Sequence, residues 1–156
     1  MLVIEVENYG TMKFELDEDN APITTANMLK LAAEGFYEGL IFHRIISGFM
    51  IQGGDPSGTG MGGSDENIKG EFMSNGVNNT HHHSRGTISM ARAADPDSAS
   101  SQFFICHKDC GFLDRDYAAF GDMIEGFEVL DAIADVKTGL NDRPLDPPVI
   151  KRIYAE

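Results

Sequence analysis

The chain is short of cysteine, of basic residues and of long apolar runs, and each shortage excludes a class of protein. Two cysteines, Cys106 and Cys110, are too few for the disulfide framework of a small secreted scaffold. No segment approaches the roughly 20 apolar residues of a membrane-spanning helix. The start, Met1-Leu2-Val3-Ile4-Glu5, lacks the basic and apolar regions of a secretory signal. A cytoplasmic protein with free thiols is expected. Lys and Arg number 12 against 25 Asp and Glu, a formal net charge of −13. Nucleic acids and anionic membranes both require basic surfaces, so neither is an expected partner. Repeats and low-complexity tracts are absent, and so is any paired-carboxylate or Ser/His/Asp spacing suited to hydrolysis.

What is present is the composition of an ordinary globular chain, 156 residues with 42% hydrophobic and 24% charged, expected to form one domain over 1–156. Such a length buries about two-thirds of its unfolded surface without staples. Short β-type runs at 2–6 and 11–16 flank the turn signal Asn8-Tyr9-Gly10 and predict a hairpin. Further strands are expected at 42–46, 49–52, 87–90, 102–106, 119–123 and 149–154. Pro22 opens a predicted helix over 22–34 that Gly35 ends. Its apolar positions are Ala26, Leu29 and Ala33, with Met28 and Ala32 beside them. Phe127, Leu130, Ile133 and Ala134 give a second amphipathic helix. Residues 53–86 read as loop. Eight or so strands that are not each followed by a helix argue against a doubly wound parallel sheet. They fit a mainly β fold: a closed eight-stranded antiparallel barrel whose open ends are capped by the two α-helices.

The chemistry concentrates in residues 42–55. This segment sets one permanent cation, Arg44, and one amide, Gln52, near Phe49 and Met50. An arginine among apolar groups is costly unless it meets an acceptor. On paired strands Arg44, Met50 and Gln52 can share a face, and Gln102 shares a face with Phe104. Phe112 and Leu113 follow in the next loop. This inventory suits holding an apolar ring while donating hydrogen bonds to the amide beside it. As plain core, Phe49, Met50, Phe104 and Leu113 would be unremarkable, but that reading leaves Arg44 and Gln52 unexplained.

Three other features carry less. Gly58-Thr59-Gly60-Met61-Gly62-Gly63 satisfies G-x-G-x-x-G, but it has no strand-then-helix context, and Asp65 and Glu66 follow where a phosphate would be repelled. His81-His82-His83, with His107, Cys106 and Cys110, suggests zinc only weakly. Adjacent histidines do not converge on one ion, and a surface loop with no metal is expected. Cys106, on a buried strand, is read as inert packing. Asp95-Pro96-Asp97 and Asp142-Arg143-Pro144 read as turns.

The runs Phe42-His43-Arg44, Gly48-Phe49-Met50-Ile51-Gln52-Gly53-Gly54-Asp55, Ser89-Met90-Ala91 and Ser101-Gln102-Phe103-Phe104-Ile105 resemble the signatures of the cyclophilins, the peptidyl-prolyl cis–trans isomerases of that type. The likeness covers nearly the whole chain and is closest to single-domain, bacterial-type members. It implies an eight-stranded barrel with two helices, no cofactor, and a role in protein folding. It implies that Arg44 is catalytic and that Phe49, Met50, Phe104 and Leu113 form the proline pocket. Gln52, Ala91, Arg92, Ala93 and Gln102 would line the groove for peptide backbone, with Gly60 in the neighbouring loop. Phe112 stands where many members have tryptophan, Tyr117 where many have histidine, Arg92 for a common asparagine and Ser47 for a common proline. The first two departures point to weak cyclosporin binding at most. The implied partners are proline-containing peptides and unfolded or flexible segments, bound by a monomer. A binding module or chaperone without catalysis is the alternative.

Overall fold

Alternation along the first residues builds the first hairpin. Leu2, Ile4 and Val6 on β1 (Leu2–Val6) are buried with Met12 and Phe14 on β2 (Gly10–Leu16), Leu2 lying opposite Phe14 and Ile4 opposite Met12. The turn between them holds Asn8 at φ 67° and Gly10 at φ 125°, conformations that suit asparagine and glycine. The computed structural model describes residues 1–156 and adds β3 (Phe42–Ile46), β4 (Met50–Gly53), β5 (Thr87–Met90), β6 (Phe103–Cys106), β7 (Ala119–Glu125) and β8 (Ile150–Ala155). All ladders are antiparallel, in the order β3-β4-β6-β5-β7-β2-β1-β8. The two outer edges meet. Gly39 and Phe42 donate N–H to Ile150 O (2.8 Å) and Pro148 O (3.0 Å), and Ile150 N–H donates to Leu40 O (2.7 Å). This contact, with the bridge between Ile41 and Val149, curls the sheet into a barrel at one corner of β3 and β8. Strand ends depart from the sequence expectation by one or two residues: β4 and β6 each begin one residue later, β7 continues to Glu125, and β8 runs one residue later.

Helix α1 (Pro22–Ala33) corrects the sequence reading of its buried face. Ala26 and Ala33 are exposed and Leu29 is half-buried, whereas Thr24, Thr25, Met28, Leu31 and Ala32 are buried. The cause lies in the stretch 53–86. Ala21 gives no side-chain cap, so the carboxylate of Glu71 takes that place, accepting Ile23 N–H (3.3 Å), Thr24 N–H (2.6 Å) and the Thr24 hydroxyl (2.7 Å). A polar partner from far along the chain turns Thr24 inward, and apolar spacing cannot register that. The same stretch buries Phe72, Asn79 and His83 and bridges Ile68 to Ala99, so it is a packed wall of the molecule. Helix α2 (Phe127–Ala134) starts from Gly126 and buries Val129, Leu130, Ile133 and Ala134. At φ 101°, Gly126 lies so close to Thr11 O (2.5 Å from a hypothetical Cβ) that only glycine fits.

Strands and helices share one core of 26 buried residues, among them Ile51, Phe103 and Ile105. The alternate positions of β4 and β6 point to the other face. Met50, Phe104 and Cys106 form a separate cluster with Cys110, against which Phe49, Ala91, Leu113 and Tyr117 pack. No helix is long and apolar enough to cross a membrane.

Candidate functional site

On that outer face a cavity of about 150 Å³ opens over Met50 and Phe104, which are 2% and 5% exposed. Phe49, Leu113 and Ala91 complete its apolar wall, and Arg44, Gln52, Arg92 and Tyr117 stand around it. A second cavity of about 180 Å³ shares Gln52, Ala91 and Arg92 and continues along Gly60, Ala93 and Gln102. Together they make one groove. Every residue nominated from the sequence lines it except Phe112. That ring is 74% exposed and tilts against Phe49 at 5.7 Å, so it stands on the rim outside both cavities. Met61 and Gly62, from the G-x-G-x-x-G run, also line the second cavity, as do Ser98 and Ser100, which nothing in the sequence singled out.

Arg44 on β3 lies opposite Gln52 on β4 in the ladder. It is half-buried and its Nη1 donates to Gln52 Oε1 at 3.4 Å. None of the protein's salt bridges involves it. Gln52 Nε2 donates in turn to Gln102 Oε1 (2.9 Å), and Gln102 Nε2 to the carbonyls of Gly60 (3.0 Å) and Gly62 (2.8 Å). A single relay of amides therefore runs from the guanidinium to the glycine loop. An unpaired guanidinium on an apolar wall keeps donors in reserve for an acceptor that arrives with a ligand.

The glycine-rich loop does cradle an anion, and that anion is the chain's own. Asp55 is buried and accepts N–H from Ser57 (2.8 Å), Thr59 (3.1 Å), Gly60 (2.7 Å) and Gly62 (3.1 Å), and the Ser57 hydroxyl. Burial opposes its charge, but these donors outweigh burial and bring the pKa down to about 2. Gly60 sits at φ 91°, and a Cβ at Gly62 would collide with Asp55 Oδ1. The nest is filled from within, which removes nucleotide binding as its use.

Behind Phe104 lies a chain of polar groups that the sequence did not announce. The His83 ring stacks on Phe104 with centroids 5.9 Å apart and planes 13° apart. Its Nε2 is 2.9 Å from Ser89 Oγ and its Nδ1 is 3.0 Å from Asp114 Oδ1, which also accepts His83 N–H at 2.6 Å. Burial lowers the His83 pKa, while Asp114 pulls the other way. The neutral ring donates from Nδ1 to Asp114 and accepts the Ser89 hydroxyl at Nε2. Serine, histidine and carboxylate are thus aligned as in a nucleophilic triad. Ser89, however, is fully buried on β5, where no substrate carbonyl reaches it. The arrangement fixes Phe104 and the start of the Leu113 loop. A parallel brace holds Phe49: His107 Nδ1 accepts Gly48 N–H (2.8 Å), His107 N–H donates to Phe49 O (2.8 Å), and Nε2 faces Asp131 (3.0 Å). No local spacing signals either brace, because each draws on loops and elements far apart in sequence.

The histidine triplet departs from the surface loop expected for it. The side chains of His81 and His83 are 11% and 0% exposed, and only His82 faces solvent. Their rings part company, His81 to Asp17 and Asp122 and the other two to opposite oxygens of Asp114. Cys106 and Cys110 are both buried, and burial pushes both thiols up, away from the reactive thiolate.

The family model for the cyclophilin type peptidyl-prolyl cis-trans isomerase/CLD matches residues 1–155. A peptidyl-prolyl cis-trans isomerase of Arabidopsis thaliana is 44% identical over 147 residues, covering 94% of this chain and 90% of that protein. A Streptococcus pyogenes protein, named for both phosphatase and peptidyl-prolyl isomerase activity, is 40% identical over 94% of this chain; the chain spans only 37% of its length. Among solved structures, a Cryptosporidium parvum cyclophilin type isomerase crystallised in the presence of the dipeptide Ala-Pro superposes with a TM-score of 0.90 at 37% identity, covering 99% of this chain and 98% of that one.

Proposed function

The chain belongs to the cyclophilin-type peptidyl-prolyl cis–trans isomerases, and on that premise we propose that Arg44 is its catalytic residue and the cavity beside it the seat of the substrate proline. The observation that carries this reading is the guanidinium without a carboxylate partner at the wall of an apolar cavity of about 150 Å³. The Ala-Pro dipeptide present with the Cryptosporidium parvum relative supports the same assignment of ligand.

Amide physics supplies the mechanism. Rotation about X–Pro must break resonance, a barrier of about 18–20 kcal/mol. In the twisted geometry the prolyl nitrogen becomes pyramidal and its lone pair localises, so only then is it a good hydrogen-bond acceptor. A donor aimed at that nitrogen stabilises the transition state more than the planar ground state. Phe49, Met50, Phe104 and Leu113 hold the ring still while the acyl side turns. Gln52 holds the guanidinium, and Gln102 with the Gly60 loop and Ala91–Ala93 receives the flanking backbone. Exclusion of water by the apolar wall strengthens the arginine contact.

The clients we infer are exposed X–Pro segments of unfolded or flexible chains, whose isomerisation takes tens to hundreds of seconds unaided and limits folding. Free thiols support a cytoplasmic setting, and the closed barrel supports a monomer. Tyr117 and the rim position of Phe112 support weak cyclosporin affinity. A binding module without catalysis would retain the pocket but have no use for an unpaired Arg44. The test is kcat/KM on a proline peptide for Arg44→Ala and Arg44→Lys. Loss of about 100-fold or more in the alanine variant, with the circular dichroism spectrum kept, is expected from removal of one transition-state donor. Activity near that of the parent in Arg44→Ala would reject the assignment.

A further inference from the structure

The protein carries a net charge of −13, yet neither cavity of the groove is lined by a single Asp or Glu. The charged side chains in the lining are Arg44 and Arg92. Arg92 belongs to both cavities, and its state is unusual. Nε–H and an Nη2–H donate to Asp116 O (3.1 and 2.8 Å), and Nη1 donates to Ala93 O (3.0 Å) and Ala94 O (3.3 Å). Its guanidinium also lies 4.8 Å from the ring centroids of both Phe72 and Tyr117. Every one of these partners is neutral. They fix the position and plane of the group but do not cancel its charge. The carboxylates of Asp95 and Asp97, close by in sequence, and of Asp116, whose carbonyl it holds, neither pair with it nor line the groove.

From this we propose that Arg92 is a specificity-determining residue, which makes the groove prefer X–Pro segments carrying an aspartate or glutamate directly before or directly after the proline. The proposal rests on the reading of the site given above. With the ring in the first cavity, a neighbouring side chain of the substrate enters the second, and Arg92 stands at the junction. Negative charges far from the groove are screened beyond about 8 Å at physiological salt, and the nearby Asp55 is buried and taken up by the N–H groups of its own loop, so Arg44 and Arg92 are the charges presented to a ligand in the groove. Arg92 is already immobilised, so pairing with a carboxylate loses little of its own side-chain freedom. One partly screened charge pair corresponds to a preference of about two- to five-fold.

The experiment measures kcat/KM for matched tetrapeptides with glutamate, alanine or lysine placed on either side of the proline, at low and high salt, for the parent protein, Arg92→Gln and Arg92→Lys. The readout is the ratio of glutamate to alanine peptide within each protein, so a uniform loss of activity in a variant cancels. The expected ratio is about two- to five-fold at one of the two positions, with the lysine peptide below alanine there. It falls toward one in Arg92→Gln and in high salt, and persists in part in Arg92→Lys. A ratio of one or less in the parent at both positions, or a ratio unchanged by Arg92→Gln, overturns the proposal. Failure of the underlying site reading looks different: the alanine peptide itself would not be turned over.

Discussion

Arg44 is held by one neutral acceptor, the Gln52 amide at 3.4 Å, which is a long hydrogen bond for a charged donor. The weakness of that contact suits the proposed role, in which the guanidinium leaves its resting partner for the prolyl nitrogen. Removing the acceptor, as in Gln52→Leu, should free the guanidinium to swing and lower kcat/KM by about ten-fold while leaving the fold intact, as read by activity assay beside thermal melting. A second residue-scale prediction concerns His81, which lies between Asp17 (2.6 Å) and Asp122 (2.9 Å). Its hydrogen bond to Asp122, with help from Asp17 and against the effect of burial, raises its pKa to about 9. The folded value exceeds the unfolded one of about 6.5, so the imidazolium contributes its full stability below pH 6.5 and loses it as pH rises to about 9. At about 1.4 kcal/mol per pH unit between about 6.5 and about 9, the contribution is on the order of 3 kcal/mol. Urea denaturation of the parent and His81→Gln should give a stability gap that is wide at pH 6 and closes by pH 9.5. A gap that stays constant across that range would show that the ring does not act through its charge.

Elements set the positions of these side chains, and they differ in how openly the sequence declares them. Strands β4 and β6 were legible on both faces, because Met50-Ile51-Gln52 and Phe103-Phe104-Ile105 alternate between the barrel core and the groove. Helix α1 was legible in its ends, through Pro22 and Gly35, but not in its buried face, which Glu71 reorients from 47 residues away. The loop at 58–63 looked like a phosphate cradle and is one in backbone geometry, but Asp55 fills it. Adding a methyl group at Gly62 should push this carboxylate aside and loosen the carbonyl that Gln102 reaches. Gly62→Ala is therefore expected to raise KM several-fold with a smaller change in kcat, in steady-state kinetics. The loop at 107–114 depends on Asp114, which accepts from His83 and pairs with His82. Asp114→Ala leaves buried donors unpaired, and a loss of about 1–3 kcal/mol in chemical denaturation is expected.

At the scale of the whole molecule, one closed sheet serves two purposes. Its interior supplies the 26-residue core, and a patch of its exterior, backed by the His83 and His107 braces, supplies a rigid groove. The fold class was readable because strand count, strand length and the scarcity of helices leave few other architectures. Much of the groove was readable because many of its residues cluster in three short segments, 42–55, 88–93 and 101–105, whereas Met61, Ser98 and Ser100 come from loops beside them. The braces were not, since His83, Ser89 and Asp114 meet only after the sheet has formed, and single residues scattered over that distance carry no periodic signal. Catalysis as proposed rests on the Arg44 guanidinium, which has no carboxylate partner, at the wall of the apolar cavity. Its most direct test is NMR exchange spectroscopy on a short Ala-Pro peptide, with the parent protein and with Arg44→Ala at concentrations giving equal peptide occupancy. Strong cis–trans exchange cross-peaks are expected with the parent and a loss of about 100-fold in exchange rate with the variant. Equal exchange with both proteins, or binding of the peptide by the parent without any exchange, would contradict the proposed role.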